Sequence, residues 1–177
     1  MKKYAFLGPQ CTGKTTCTEL VKHYIDGTAV NLKFADPLYS ILEVLNMQKN
    51  RRFMQELSDL IKAYMGPKYF VRVFRREVDE LEGWVDILTN DDCRFQMEFD
   101  YLTQAGWHTI YIDTDKDIRR ERAVMNGLEF LPNHPSETQV LKLKDACDIV
   151  ITNNGTLLDF KDAVLTTIRE LENGRNN

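Results

Sequence analysis

The chain has 177 residues, 43% hydrophobic and 28% charged, with a formal net charge of -4. That length is enough for one domain with a sizeable core, and the composition excludes a disordered or fibrous chain. The mild acidic balance argues against a broad nucleic-acid-binding face, and no apolar run is long enough to span a bilayer.

The expected elements alternate between short β-rich runs and amphipathic helical runs. Met1-Lys2-Lys3 leads directly into an apolar strand, Tyr4 to Leu7, without the shape of a signal peptide, so a cytoplasmic protein is expected. A glycine loop follows, then a helix from Thr15 to Ile25 with Cys17, Leu20, Val21 and Tyr24 on one face. Ala29 to Phe34 reads as a second strand, and Asp36-Pro37 opens a helix through Leu45, with Asp36 as its N-cap. Two apolar stripes predict a helix pair. One runs Phe53, Leu57, Leu60, Ile61, Tyr64 and ends at Gly66-Pro67; the other runs Phe70, Val73, Phe74, Val78, Leu81 and ends at Gly83.

Trp84 to Thr89 is expected as the third strand, Phe95 to Gln104 as a helix stopped by Gly106, and Trp107 to Ile112 as the fourth strand. Thr114-x-x-Asp117 has the pattern of a capping box for a basic helix carrying Arg119, Arg120 and Arg122. Gly127 to Pro135 is a proline-bearing loop, and Ser136-x-x-Gln139 would cap a further helix. Ile149 to Thr152 is the fifth strand, Asn153-Asn154-Gly155 a turn, and Thr156 to Leu171 the last helix. Five strands joined by crossover helices predict an α/β, doubly wound parallel sheet in three layers. A single domain over 1–172 is expected, followed by a frayed tail at 173–177.

Ligands in such sheets bind beyond the carboxyl ends of the strands. The glycine loop, the Asp91/Asp92/Arg94 cluster, Asp113 and Asn153 all fall there in this reading. Gly8-Pro-Gln-Cys-Thr-Gly-Lys-Thr15 matches GxxxxGK[ST] at every fixed position, between an apolar strand and a helix. Backbone amides of Gly8, Gln10, Cys11, Thr12 and Gly13, with the helix start at Thr15 and Thr16, would wrap the phosphates of ATP. Lys14 would bridge the β- and γ-phosphates, and Thr15 would ligate Mg²⁺.

A second site is needed to say where the phosphate goes. Asp86-Ile-Leu-Thr-Asn-Asp-Asp-Cys-Arg94 ends a strand with acids and an arginine together. An acid there can serve the metal or orient an acceptor, and Arg94 can grip a phosphate through its planar fork; the bland alternative is a solvated turn. Arg119, Arg120 and Arg122 fit either charge neutralisation in phosphoryl transfer or a solvated helix face. Arg51, Arg52 and Gln55 begin a helix from which an acceptor's phosphate and base could be reached. The cysteines Cys11, Cys17, Cys93 and Cys147 show no CxxC spacing and no histidine cluster, so free thiols are expected.

Taken together, these runs resemble the deoxynucleoside monophosphate kinases of tailed bacteriophages, within the P-loop nucleoside monophosphate kinase group. The resemblance is carried by Gly8 to Thr15, Phe34-Ala-Asp-Pro-Leu38, Asp92-Cys-Arg-Phe-Gln-Met-Glu98, His134-Pro-Ser-Glu-Thr138 and Asp148-Ile-Val-Ile-Thr-Asn-Asn-Gly155. It implies a three-layer P-loop kinase fold with a small lid at about 115–138 and an acceptor-binding helical segment at about 36–82. It implies transfer of the ATP γ-phosphate to a dNMP with Mg²⁺, in the cytoplasm, the host's if the chain is phage-encoded. Lys14, Arg94, Asp92, Arg119 and Arg122 would be catalytic, with Thr15 and Asp92, or Asp91 in its place, at the metal. Asn153 and Gly155 would meet adenine. Asp36, Arg52, Gln55, Arg94, Glu98, His134 and Glu137 would border the dNMP. Two features depart from the pattern: Asn90-Asp91 precedes Asp92, and the lid loop is short of arginines. The rival readings are another small-molecule kinase, such as one like dephospho-coenzyme A kinase, and a non-catalytic ATP-binding module. The sequence leaves oligomeric state open; the Arg51 to Leu81 helix pair, rich in apolar residues, is the surface through which a homodimer could form.

Overall fold

The computed structural model describes residues 1–174, apart from the side chain of Arg51. Five strands form one sheet: β1 (Lys2–Leu7), β2 (Ala29–Asn31), β3 (Ile87–Asn90), β4 (His108–Asp113) and β5 (Ile149–Thr152). Their order is β2-β3-β1-β4-β5, and every pairing is parallel. Among the described residues, eight α-helices connect or cover them: α1 (Lys14–Tyr24), α2 (Asp36–Val44), α3 (Arg51–Met65), α4 (Tyr69–Leu81), α5 (Gln96–Gln104), α6 (Lys116–Met125), α7 (Pro135–Leu141) and α8 (Leu157–Asn173). This is the three-layer α/β arrangement that the strand and helix alternation predicts. No helix among the described residues is long and apolar enough to cross a membrane.

The two-residue period of the strands sorts the core into two layers. Tyr4 and Phe6 join Ile110, Ile112 and Ile151 on the face covered by α1 and α8, through Cys17, Val21, Phe160 and Val164. Ala5 and Leu7 join Leu88 and Tyr111 on the other face, under Phe74 and Val78 of α4 and Phe99 and Leu102 of α5. Each large apolar side chain buried this way contributes about 1.5–3 kcal/mol, so the sheet and its two helical layers hold most of the stabilising area. A third, smaller cluster joins α2, α3 and α4 through Leu38, Leu42, Met54 and Phe70. It forms a lobe beside the sheet, beyond the carboxyl end of β2.

The element boundaries differ from expectation for identifiable reasons. β2 ends at Asn31 rather than Phe34, because Asp92 takes the N–H groups of Phe34 and Ala35 at 3.0 and 2.9 Å. β3 begins at Ile87, since Trp84 belongs to the turn after α4, bonded through its N–H to the Leu81 carbonyl and 81% exposed. Asp36 lies inside α2 and Ala35 is the N-cap; the Asp36 carboxylate instead accepts the Lys33 N–H at 2.7 Å. Thr114 and Ser136 are not the caps expected of them. Asp115 precedes α6, and His134 caps α7 by accepting the Ser136 N–H. Helix α8 continues through Asn173, past the point where fraying was expected, and residues 175–177 lie outside the described residues.

Candidate active site

The loop after β1 is fitted tightly against the ends of β4 and β5. Gly8 has φ +136°, and a Cβ there would stand 2.6 Å from the Ile112 carbonyl oxygen. Gly13 has φ +103°, and a Cβ there would meet Asn153 Nδ2 at 2.8 Å and Phe160 Cε1 at 2.9 Å. Only glycine satisfies both the dihedral and the space. Cys11 also takes a positive φ, 63°, at the crest of the loop. Asn153 ties the loop down by donating to the Thr12 carbonyl at 2.8 Å, and the Thr12 hydroxyl donates to the Pro9 carbonyl.

Lys14 opens α1 with its ammonium buried, donating to the Pro9 carbonyl at 2.6 Å. Burial pushes its pKa well below the ordinary lysine value; the neighbouring Arg94 charge adds to this, while Glu137 and Asp91 oppose it. Gln10, Cys11, Gly13, Lys14, Thr15 and Thr16 line a cleft of about 1150 Å³, with Gly8 and Thr12 underneath as supports.

The two adjacent aspartates separate cleanly. Thr15 Oγ1 donates to Asp91 Oδ2 at 2.8 Å, while Asp91 Oδ1 accepts from Asn31 Nδ2 at 3.1 Å and faces Lys33 Nζ at 3.4 Å. Burial raises the Asp91 pKa, but Lys33 and the hydrogen bonds from Asn31 and Thr15 outweigh it and hold the carboxylate below its usual range. Asp92, expected at the metal, accepts instead from Phe34 N, Ala35 N and Asn90 Nδ2, and burial pushes its pKa up. Its three donors lock the β2–α2 loop, and none of its hydrogen bonds reaches Thr15. Thr15 and Asp91 supply the hard oxygen donors that magnesium takes when phosphate oxygens and water complete its octahedron. Among the described residues, no cluster of three or more His, Cys, Asp or Glu could hold a metal alone.

Arg94 leaves the end of β3 and donates to the Gly8 carbonyl at 2.9 Å, so the second cation does reach the glycine loop. It faces Glu137 of α7 at 3.6 Å. Glu137 is 1% exposed and accepts the Gln10 N–H at 2.5 Å. Its place is behind the loop, positioning Arg94, rather than at the acceptor wall where the His-Pro-Ser-Glu run put it. Glu98 accepts the N–H groups of Arg94 and Phe95, and burial, reinforced by the Asp92 charge, raises its pKa to about 7. His134 lines the cleft as the cap of α7, with Nδ1 2.8 Å from Ser136 Oγ.

The basic helix divides its arginines. Arg122 lines the cleft and donates to the carbonyl of Asn153 at 3.1 Å and to that of Cys11 at 3.5 Å. Arg119, expected to be catalytic, is buried behind it, donating to the Thr114 carbonyl and lying 5.7 Å from the centre of the Phe130 ring. Gly155 is exposed on the turn before α8 and is not part of the cleft wall, whereas Asn153 is.

At its other end the cleft is walled by Phe34, Tyr39, Met54, Phe70 and Phe95, with Gln55, Ser58 and Asp59 from α3. Gln55 lines the cleft. Arg52 does not: its side chain is 87% exposed and pairs with Glu56 at 2.9 Å. Asp36 fixes the Lys33 backbone and stands outside the wall. Cations that the motifs did not indicate are Lys33, Lys49 and Lys62. Lys62 Nζ lies 5.1 Å from the centre of the Phe95 ring and 5.7 Å from that of Phe70, and Lys49 Nζ 5.2 Å from that of Tyr39. For Lys62 the available signal was positional, since it follows Ile61 of the apolar α3 stripe; Lys33 fell inside the expected second strand, and only the earlier end of β2 at Asn31 brings it to the cleft.

No protein-family model matches the chain, and no curated protein matches it. Solved structures do. A shikimate kinase from Acinetobacter baumannii in complex with shikimate aligns over 100% of this chain and 96% of its own, at 15% identity and TM-score 0.58. A shikimate kinase from Aquifex aeolicus aligns over 99% of both chains at 14% identity and TM-score 0.55. A gluconokinase from Sinorhizobium meliloti aligns over 99% of this chain and 95% of its own at 11% identity and TM-score 0.56. At these identities the likeness is one of fold, and it puts the five-stranded sheet and its helical layers in the P-loop kinase fold.

Proposed function

We propose that the chain is an ATP-dependent kinase that moves the γ-phosphate of ATP to a deoxynucleoside monophosphate, giving ADP and a dNDP. The observation that carries this reading is the continuity of the cleft. It runs from Lys14 and Thr15 to an aromatic wall of Tyr39, Phe70 and Phe95, with Asp91 and Arg94 between. A triphosphate at one end and a flat base at the other would bring an acceptor phosphate up to the γ-phosphate.

In that arrangement an oxygen of the acceptor phosphate attacks the γ-phosphorus in line, the bond to the β–γ bridging oxygen breaks, and ADP leaves with the electron pair. Little covalent chemistry falls to the protein, which must align the groups, neutralise charge and exclude water. Lys14 would move from the Pro9 carbonyl to the β- and γ-oxygens, and Arg94 from the Gly8 carbonyl to the acceptor phosphate. A magnesium ion held by Thr15 and Asp91 would supply charge neutralisation at the β- and γ-phosphates. Arg122, at the rim between Cys11 and Asn153, is the arginine of the basic helix best sited to follow charge on the transferred group. The segment 115–138 would act as the lid, tethered to the phosphate loop by the bond from Gln10 Nε2 to the Glu129 carbonyl.

The names of the structural neighbours support a second reading, in which the acceptor is a small hydroxylated acid. Lysines and Arg94 suit a carboxylate as well as a phosphate, but Phe34, Tyr39, Phe70 and Phe95 make more apolar wall than a polyol needs. An ADP-release assay over the natural dNMPs, their ribonucleotide partners, dephospho-coenzyme A, shikimate and gluconate separates the readings. Turnover confined to nucleoside monophosphates is expected. Turnover confined to the acids would replace the proposed acceptor, and ATP binding without turnover on any acceptor would leave a nucleotide-binding module.

A further inference from the structure

Lys33 occupies the join between the two ends of the cleft. Its backbone is fixed, since its N–H is held by the Asp36 carboxylate at 2.7 Å. Its side chain is 30% exposed, and its ammonium stands 3.4 Å from Asp91 Oδ1 and 6.0 Å from the centre of the Tyr39 ring. The other cations around the cleft are committed to one end. Lys14 and Arg94 bond carbonyls of the phosphate loop, Arg122 bonds those of Cys11 and Asn153, and Lys49 and Lys62 lie across aromatic faces. Among the described residues lining the cleft, Lys33 alone touches the carboxylate that Thr15 bonds while also bordering the aromatic wall.

We propose that Lys33 is a substrate-binding residue that seats the phosphate of the acceptor together with Arg94, exchanging Asp91 for that phosphate when the acceptor enters. The proposal rests on the kinase reading above. The exchange is favourable because Asp91 presents one oxygen at 3.4 Å, whereas an acceptor phosphate presents two negative charges and three oxygens to a mobile ammonium. Asp91 is not stranded when Lys33 moves, since Asn31 still donates to Oδ1 and Thr15 to Oδ2. The four-carbon stem permits a move of a few ångströms without disturbing the loop, whose hold on the rest of the fold runs through Asp36 and Asp92. Arg94 alone would neutralise one charge of a phosphate dianion, and Lys33 supplies the second.

The test uses the full chain as wild type, Lys33→Met and Lys33→Arg. The readouts are steady-state ADP release with the preferred dNMP, calorimetric binding of that dNMP without ATP, and the Mg²⁺ concentration for half-maximal rate. Losing a charge that contacts phosphate should raise the acceptor KM and Kd of Lys33→Met on the order of 10- to 100-fold. The KM for ATP and the Mg²⁺ requirement should stay at wild-type values, and Lys33→Arg should recover part of the acceptor affinity. An unchanged acceptor Kd with a raised Mg²⁺ requirement would overturn the proposal, since Lys33 would then only steady Asp91. If Lys33→Met does not fold, Lys33→Arg and Lys33→Gln decide, Gln being expected to weaken acceptor binding and Arg to spare it. Wild-type turnover with normal acceptor use in the folded variants defeats this assignment alone; a wild type that turns over no phosphorylated acceptor defeats the kinase reading with it.

Discussion

Gly8 and Gly13 bring the phosphate loop within contact of Ile112, Asn153 and Phe160, whereas the far wall of the cleft consists of Tyr39, Phe70 and Phe95 with lysines lying over their faces. The near end is built from backbone, held in one shape by dihedrals that only glycine tolerates and by the bond from Asn153 to Thr12. The far end is built from side chains on α2, α3 and α4 and from Phe95 just ahead of α5, beside a cluster of four buried residues, Leu38, Leu42, Met54 and Phe70. A site built from backbone amides is rigid and suits one kind of ligand, as a helix N-terminus suits an anion. A side-chain site on a small lobe can change its ligand by changing a few residues. The fold neighbours share the sheet and its helical layers at 11–15% identity.

The sharpest way to break the comparison is at Lys14, where backbone and chemistry meet. Lys14→Ala should lower the rate of transfer on the order of 10²–10³-fold or more, because a preorganised cation is removed from developing charge. The melting temperature should change little, since the buried ammonium is held at the expense of its own charged form. Single-turnover transfer with labelled ATP measures the loss, and near-normal turnover by a folded variant would end the assignment. Gly8→Ala tests the backbone directly. The new Cβ would face a carbonyl oxygen 2.6 Å away, at a φ of +136° that L-residues rarely adopt. A loss of about 2–3 kcal/mol in chemical denaturation is expected, with a weakened ATP KM. An unchanged midpoint would mean that the loop is looser than its packing suggests.

The same division explains what the sequence could reveal. The phosphate loop was legible because its spacing is dictated by local backbone geometry, and the sheet because alternate apolar residues report the faces of β1 and β4. Asp91 and Asp92 could not be told apart, because their partners, Thr15 and the Phe34 and Ala35 amides, are at least 57 residues away in the chain. Arg119 and Arg122 lie three apart on α6, so a helical wheel gives them similar faces; packing against Phe130 buries one and leaves the other at the cleft. Glu137 was placed beside the acceptor by the resemblance of its His-Pro-Ser-Glu run alone, yet α7 turns it behind the loop to Arg94 and Gln10.

Glu98 offers a test by pH on the side-chain half. Burial, then the Asp92 charge, raises its pKa from an ordinary 4.5 to about 7 in the folded chain. The folded state therefore holds a proton that the unfolded chain has released over that interval, so stability falls as pH rises from about 4.5 towards 7. The full shift corresponds to about 3 kcal/mol at most. Glu98→Gln can still accept the Arg94 and Phe95 amides, so it should fold and lose this pH dependence. Denaturant titrations of both proteins between pH 4.5 and 7.5 measure the difference, and parallel curves would place Glu98 in a wetter setting.

The smallest expected effect falls on Arg52, and it discriminates because sequence and structure disagree there. By sequence, Arg52 begins a helix facing the acceptor, one position after Arg51 and three before Gln55, and a kinase could use it to grip a phosphate. In the structure α3 turns Gln55, Ser58, Asp59 and Lys62 into the cleft, and Arg52 projects into solvent against Glu56. An exposed i,i+4 pair is worth about 0.3–0.5 kcal/mol. Arg52→Ala should thus leave the acceptor KM and kcat at wild-type values and shift stability by less than about 0.5 kcal/mol. Measured beside Arg94→Ala, which should raise the acceptor KM sharply, it shows whether the lobe stays as drawn when the acceptor binds. A large rise in acceptor KM for Arg52→Ala would require α3 to rotate and carry Arg52 across the cleft mouth, making the far wall a moving part.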